Sequence, residues 1–453
     1  MSGRIDFSMD FNSQRTGKKS VSTNGYSIYL LGNFSGNTDT AWQQRQITRI
    51  NVDNFEQILA KIKPSVQIKN GVSLFFESLD DFHPDHWLTK LPVLADLQSL
   101  KKQLLNPNTV AEAAAKIQAL SLGELNPQPI TTPIQQETES QDDMLERLLG
   151  KAPEKTVTPT STVDQLLKQI VAPHVQPLAN PNQAVLVAGV DGLCSEFIRS
   201  ILHDSNFQKL EALWLASCAL INEENSDEQN FFLVDISQAE LSEELAQGGH
   251  AFTQKLFEHM QSGDTEQDVL LISDYYFSVQ TEDLGLLKFL SGLAASCQAT
   301  FIAAAASALF TSESQQVWPK LLQEIDAEQV VLAYPRYLIR MPYGAKREPV
   351  ESFVLEEAGV VPNTQELLWA NPAFLCARLL VRTSGGQANN DAAYFQDIPA
   401  FSYPQDGEQR LQAGTETVLT EMQANALLAN GFTPVIGFTQ RKGVRLMPVT
   451  YLV

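Results

Sequence analysis

Basic residues are scarce in this chain: 32 Lys plus Arg stand against 53 Asp plus Glu, a formal net charge of −21 over 453 residues. Phosphate backbones and anionic bilayers bind positive surfaces, so nucleic acid and membrane are excluded as main partners. Cysteine is rare too. Cys194, Cys218, Cys297 and Cys376 are scattered without a CxxC pair, in apolar or small-residue stretches such as LWLASCALI. That is the pattern of buried small hydrophobes in a reducing compartment; a disulfide pairing stays open on sequence alone. Long apolar runs are lacking, and the longest, ATFIAAAASALF, is too short to cross a bilayer. The N-terminus, MSGRIDFSMDFNSQRTGKK, has no apolar core after a basic start. No signal peptide is expected, and the expected location is the cytoplasm.

The signatures of common chemistries are missing as well. There is no G-x-x-x-x-G-K-S/T phosphate loop, no G-x-G-x-x-G after a strand and no G-x-S-x-G elbow. The cluster LGNFSGN reads as a turn that follows a strand. His83-Pro84-Asp85-His86 places two imidazoles beside a carboxylate, but Pro84 interrupts any helical register between them. It reads as a helix start, with proline in the first turn and Asp85 at the positive helix end. His174, His203, His250 and His259 have no third ligand at a metal-binding spacing. Ser273-Asp274-Tyr275 ends an apolar strand, the place where α/β proteins hold ligands. A carboxylate there could bind a metal or act as a base; it could equally cap the next segment or pair with an arginine. With no nucleophile or phosphate loop to join it, the expectation is no enzyme, no metal and no cofactor. Arg336, Arg340, Lys346 and Arg347 form one modest basic cluster, expected to pair with carboxylates on a neighbouring surface.

What is present is an α/β pattern. Residues 1–25 are polar and read as a flexible arm. YSIYLL, ITRINVD, SVQIK and GVSLFFES read as strands, with a helix over 54–63 ended by Pro64 and a leucine-spaced helical stretch from Pro84 to Leu104. These make a small N-terminal α/β domain over 26–125. Eight of the 22 prolines lie in 126–181, among Thr, Gln and Glu, which marks a linker. Two short helix patterns interrupt it, DDMLERLLGK and STVDQLLKQIV.

From 182 to 453 the chain reads as a larger α/β domain with parallel-rich sheets flanked by helices. AVLVAGV reads as its first strand. A long helix or a pair broken near Asp204 and Ser205 follows, then FFLVDIS, DVLLISDYYF, ATFIAAAAS and VVLAYPRYLIRMP as strands alternating with helices. VWPKLLQEI, PAFLCARLLVR and TVLTEMQANALLANG read as helices, and TPVIGFT and VRLMPVTYLV as closing strands.

GYSIYLLGNFSG, ITRINVDNFEQILAKIKPSVQI, LFFESLDDFHPD and LPVLADLQSLKKQLL, in that order, resemble the small subunit of the type VI secretion contractile sheath (TssB, or VipA) over roughly 26–120. ILHDSNFQKLEALW, LLISDYYFSVQTEDLGLLKFLSGLAASCQATFIAAAASALF, YPRYLIRMPYG, FVLEE and LWANPAF resemble the large subunit (TssC, or VipB) over roughly 142–450. The sequence departs from the family in three ways. Leu215 and Ala216 follow Trp214 where arginine and glycine are usual. The two subunits share one chain. The chain stops at Val453, before the aromatic and basic segment that ordinarily ends the large subunit.

The resemblance implies a mechanical protein of a contractile apparatus. It would be a sheath-like protomer, or an accessory that copies a protomer's outer face and packs on sheath, baseplate or tube proteins. The alternative is a non-polymerising adaptor for baseplate, cap or ATPase; a hydrolase on the same fold is a distant third. DDMLERLLGK resembles the leucine-bearing helix that docks on a ClpV-type AAA+ unfoldase, which makes Met144, Leu145, Leu148 and Leu149 the candidate partner-binding face. A linker helix packed on its own domain is the other reading of the same four residues.

Overall fold

The computed structural model describes residues 25–37, 40–68, 73–115, 181–261, 267–311, 327–384 and 392–452, and the single positions 318, 320, 322 and 325. The expected arm, the linker with its two helices and most of VWPKLLQEI lie outside the described residues. Two compact units are present: residues up to Trp87 with Ser195 onward, and Leu88–Cys194.

The larger unit is built on a nine-stranded sheet. From the N-terminal part it takes β1 (Tyr26–Gly32) and β2 (Thr48–Ile50), followed by helix α1 (Phe55–Ile62) and the hairpin β3 (Ser65–Gln67) and β4 (Ser73–Phe75). The single turn α2 (Trp87–Lys90) carries the chain into the smaller unit. There α3 (Pro92–Leu105) and the first part of α4 (Pro181–Leu202) are joined by Lys101–Asp191 at 2.7 Å and by Gln183 Nε2 donating to the Leu104 carbonyl.

Back in the larger unit, α5 (Ser205–Ile221) starts at Asp204, whose carboxylate accepts from the Asn206 and Phe207 amides. Then come β5 (Asn230–Asp235), α6 (Gln238–Ala246), α7 (His250–Gln261), β6 (Asp268–Phe277), α8 (Thr281–Ser296), β7 (Thr300–Ala305), β8 (Val330–Tyr334) and β9 (Tyr337–Leu338). β10 (Trp369–Ala370), α9 (Ala373–Thr383), β11 (Tyr394–Phe395), the hairpin β12 (Phe401–Gln405) and β13 (Glu408–Gln412), α10 (Glu421–Ala429), β14 (Phe432–Gly437) and β15 (Val444–Leu446) complete it. Gly431, with φ of +83°, stops α10 where the sequence placed its end.

The strand order is β11-β15-β14-β8-β7-β6-β1-β5-β2. Strands β14, β8, β7, β6, β1 and β5 run parallel, and antiparallel pairs flank them on both sides. Tyr29, Leu31, Leu271, Phe301 and Leu332 join one core with α6, α7 and α8. The alternate residues Ile28, Leu30, Ile272, Ile302 and Val331 are fully buried as well, so the sheet is covered on both faces.

Two readings change. AVLVAGV is the first half of α4 and not a strand. A short apolar run does not reveal its period, and the Asp191-Gly192 pair after it, a turn signal in sequence, lies inside the helix that continues into LCSEFIRSIL. Also, the strands of 26–50 close no sheet of their own: β1 lies between β5 and β6. The proline-rich division of the sequence is therefore not a division of the sheet.

Helix α5 is a second place where the two halves of the sequence meet, after the β1 ladders. Trp214 is fully buried, 5.3 Å from Phe34 and 5.7 Å from Phe55 between ring centroids, and its indole N–H donates to the Phe34 carbonyl. Phe207 packs at 5.2 Å on Trp87, beside Phe76 and Phe82 stacked at 4.1 Å. Rings of this size, buried and edge-packed, cost about 3–5 kcal/mol each to truncate. The N-terminal part is thus held to α5 by an aromatic seam.

Candidate functional site

The glycine-rich turn after β1 shapes one wall of a cleft. Gly36 has φ of +67°, and a Cβ there would lie 2.1 Å from the Ser65 carbonyl, so only glycine lets the turn pack against β3. The cleft, about 310 Å3, opens at the carboxyl ends of β1, β5 and β6 and is lined by Asn33, Lys209, Ser237, Gln238 and Asp274. The chain goes from β1 to β5 on one side and then past β1 to β6 on the other. Parallel α/β sheets hold ligands at such a switch point.

Sequence placed Asp274 at this end of the strand, with a choice between a ligand role and a cap or arginine partner. Among the described residues, neither a hydrogen bond nor an ion pair reaches its carboxylate. Burial pushes its pKa up to about 7, with Lys209 and Arg336 pulling only partly the other way. Next to it, Gln238 fixes α6 to β6 by exchanging hydrogen bonds with the Tyr276 backbone. The α6 helix itself went unread in the sequence, although Ser237 and Glu240 form its capping box.

A pH experiment follows from that carboxyl. Its folded pKa lies above the unfolded value of about 3.9, so the folded state binds the proton more tightly. The resulting stability is present below the unfolded pKa and is lost as pH rises through about 7. Asp274→Asn should match wild type near pH 4 and exceed it at pH 8, by up to about 4 kcal/mol if the full shift is expressed. Urea unfolding of both proteins across this range measures the difference; parallel curves would mean the carboxyl is not strained.

Three members of the basic cluster turn inward, while Lys346 is exposed. Arg336 grips Glu416 at 2.7 Å, and Arg347 stacks 4.2 Å over Phe401. Arg340 forks to Glu211 at 2.6 and 3.1 Å and to Glu357 at 2.8 and 3.1 Å. Both carboxylate side chains are 1% exposed. Burial disfavours the guanidinium charge, yet the two carboxylates hold its pKa well above the usual range. The expectation of pairing with a neighbouring surface is therefore corrected for Arg336 and Arg340, because their carboxylates come from distant points of the same chain. A second such knot joins Arg378 and Arg382 to Glu223, whose pKa is lowered against its burial by the hydrogen bonds they donate.

His83, Pro84 and Asp85 form the expected helix start. His83 Nδ1 accepts from the Asp85 amide at 3.3 Å, and Asp85 accepts the Glu351 and Ser352 amides. Burial lowers the His83 pKa, with Asp85 opposing. All four cysteines are free thiols; Cys194 and Cys376 are buried, and Cys218 and Cys297 are half-buried. No helix among the described residues is long and apolar enough to cross a membrane. Met144, Leu145, Leu148 and Leu149 lie outside the described residues.

The VipB family model, the tail sheath N-terminal domain, matches residues 184–320 and 308–446, more than half of the chain. The VipA model of the type VI secretion system matches residues 4–121. The type VI secretion system sheath protein TssC1 of Pseudomonas aeruginosa is 29% identical over 293 residues, covering 55% of this chain and 57% of that protein. The chain therefore spans a little over half the length of this relative. With a VipA-like segment ahead of it in the same polypeptide, the chain belongs to the VipB tail sheath family of type VI secretion systems.

Proposed function

We propose that the chain is a structural, sheath-like component of a contractile type VI secretion apparatus, working by protein–protein packing and not by catalysis. The observation that carries this reading is the sheet itself. A strand from the VipA-like part lies between two strands of the VipB-like part, so one polypeptide supplies what otherwise needs two subunits. A protomer of this kind stores free energy in one packing and releases it by moving to a better one. Residues 126–181 act as the tether between the two parts. Negative-stain electron microscopy of the protein, alone and with other components of its apparatus, tests the proposal. Regular tubes or rings support a protomer, discrete particles on a baseplate or cap support an adaptor, and no association with any component overturns both.

The leucine-bearing segment is proposed as a docking element for a ClpV-type unfoldase. Met144, Leu145, Leu148 and Leu149 fall at i, i+1, i+4 and i+5, one face of a short helix. Asp142 and Asp143 precede them and Lys151 follows, which suits the helix dipole at both ends. Leu145→Asp with Leu148→Asp should abolish binding to the ATPase's N-terminal domain while moving Tm by less than about 1 °C. A Tm drop of several degrees with binding intact identifies a self-packing helix instead.

A further inference from the structure

We propose that the cleft at the carboxyl ends of β1, β5 and β6 is a binding site for a small zwitterion of the α-amino acid class, its ammonium held by Asp274 and its acid group by Lys209. Three observations carry this. The cleft is concave and about 310 Å3 in volume, the lower end of the range that small-molecule sites occupy. It lies at the point where the strand connections diverge, the position where parallel sheets present backbone and side chains to ligands. Its walls carry one carboxylate and one ammonium, and neither has an ion-pair or hydrogen-bond partner among the described residues.

The last point is unusual for this protein. The buried and half-buried charges of Arg45, Glu211, Glu223, Arg336, Arg340 and Arg378 are all answered by counter-charges within the chain. Asp274 has no partner in hydrogen-bond or ion-pair contact; Lys209 and Arg336 act on it only from beyond contact, although burial makes its charge costly. A bare cation would leave Lys209 facing like charge, and a bare anion would face Asp274. A ligand with both charges answers both walls. The Asn33 and Asn206 side chains line the same opening and supply uncharged donors and acceptors.

The full chain is titrated with the free proteinogenic amino acids, one at a time, by isothermal calorimetry and thermal shift at pH 8. Saturable 1:1 binding of at least one of them is expected, with a Tm rise of about 1–2 °C at tenfold excess over Kd. Asp274→Asn should weaken that binding at least tenfold while leaving Tm unchanged or higher. Lys209→Ala, at an exposed position, should weaken it comparably and leave folding untouched. The corresponding amine without the carboxylate should bind more weakly than the amino acid. No binding across the set overturns the proposal. So does binding that survives Asp274→Asn, or a preference for lysine-bearing peptides of a partner over free amino acids. None of these outcomes bears on assembly, which microscopy reads separately.

Discussion

Arg340→Leu should destabilise the protein by at least about 4 kcal/mol, among the largest single-residue effects expected outside the sheet. The side chains of Glu211 and Glu357 are 1% exposed, and Arg340 is the cation that both of them grip. Removing one partner of a buried ion pair costs about 3–5 kcal/mol, because the remaining charge has no solvent to return to. Here two carboxylates would be stranded. Arg340→Lys keeps the charge but cannot present the two forks, which run from Nε and Nη2 to Glu211 and from Nη1 and Nη2 to Glu357. It should fall between wild type and Arg340→Leu. Neutralising both acids, Glu211→Gln with Glu357→Gln, in the Arg340→Leu background should recover much of the loss, since neutral amides cost less to bury than unpaired charges. Urea unfolding measures each variant. A loss under about 1 kcal/mol for Arg340→Leu, or no recovery in the triple variant, would show that the network is incidental.

This network was half legible in the sequence, and the reason is instructive. The spacing of Arg336, Arg340, Lys346 and Arg347 marked a basic cluster, but nothing local says that Glu211 lies across the fold from Arg340. Charge pairing at a separation of 129 residues is set by topology, not by pattern. The same limit explains β1. Its short apolar run and the turn residues that close it were enough to define a strand over Tyr26–Leu31, and Gly32 ends it as expected. Its partners were not readable, because period 2 fixes which side chains face which side and says nothing about the neighbouring strand. AVLVAGV failed for a different reason. A run of seven apolar residues, all but Leu186 small or β-branched, has no period to detect, and Val185, at 70% exposure, does not behave as a buried strand residue. The α5 start at Asp204 and the α10 stop at Gly431 were legible because capping chemistry is local. The cleft was legible only as a place: strand end, carboxylate, glycine turn. That Asp274 stays unpaired could not be foreseen.

Because β1 is an interior strand, the C-terminal part should not fold without the N-terminal part. All seven residues of β1 are buried. Ser27 to Gly32 pair with β5, and Tyr26 to Leu31 pair with β6. A chain beginning at residue 135 would leave both neighbours with open edges and would expose the faces that Leu30, Leu31 and the Phe34–Trp214 contact cover. Residues 135–453 expressed alone should therefore be insoluble or lack a cooperative unfolding transition. Co-expressed with residues 1–134, they should yield a 1:1 complex that co-elutes on gel filtration. The aromatic seam and the two ladders bury a core-like interface, so the complex should survive dilution to about micromolar concentration, where a weakly associating pair would separate. The intact chain should gain further, since the proposed tether over 126–181 would set an effective concentration of roughly millimolar. It should unfold in one transition at a higher urea concentration than the split pair. Leu30→Asp, placed in the middle of both ladders, should abolish co-elution of the split pair, as a carboxylate there has no partner in reach. A soluble 135–453 fragment with native near-ultraviolet circular dichroism, or split halves that elute separately, would mean that the VipA-like strand is an accessory to the sheet and not part of its core.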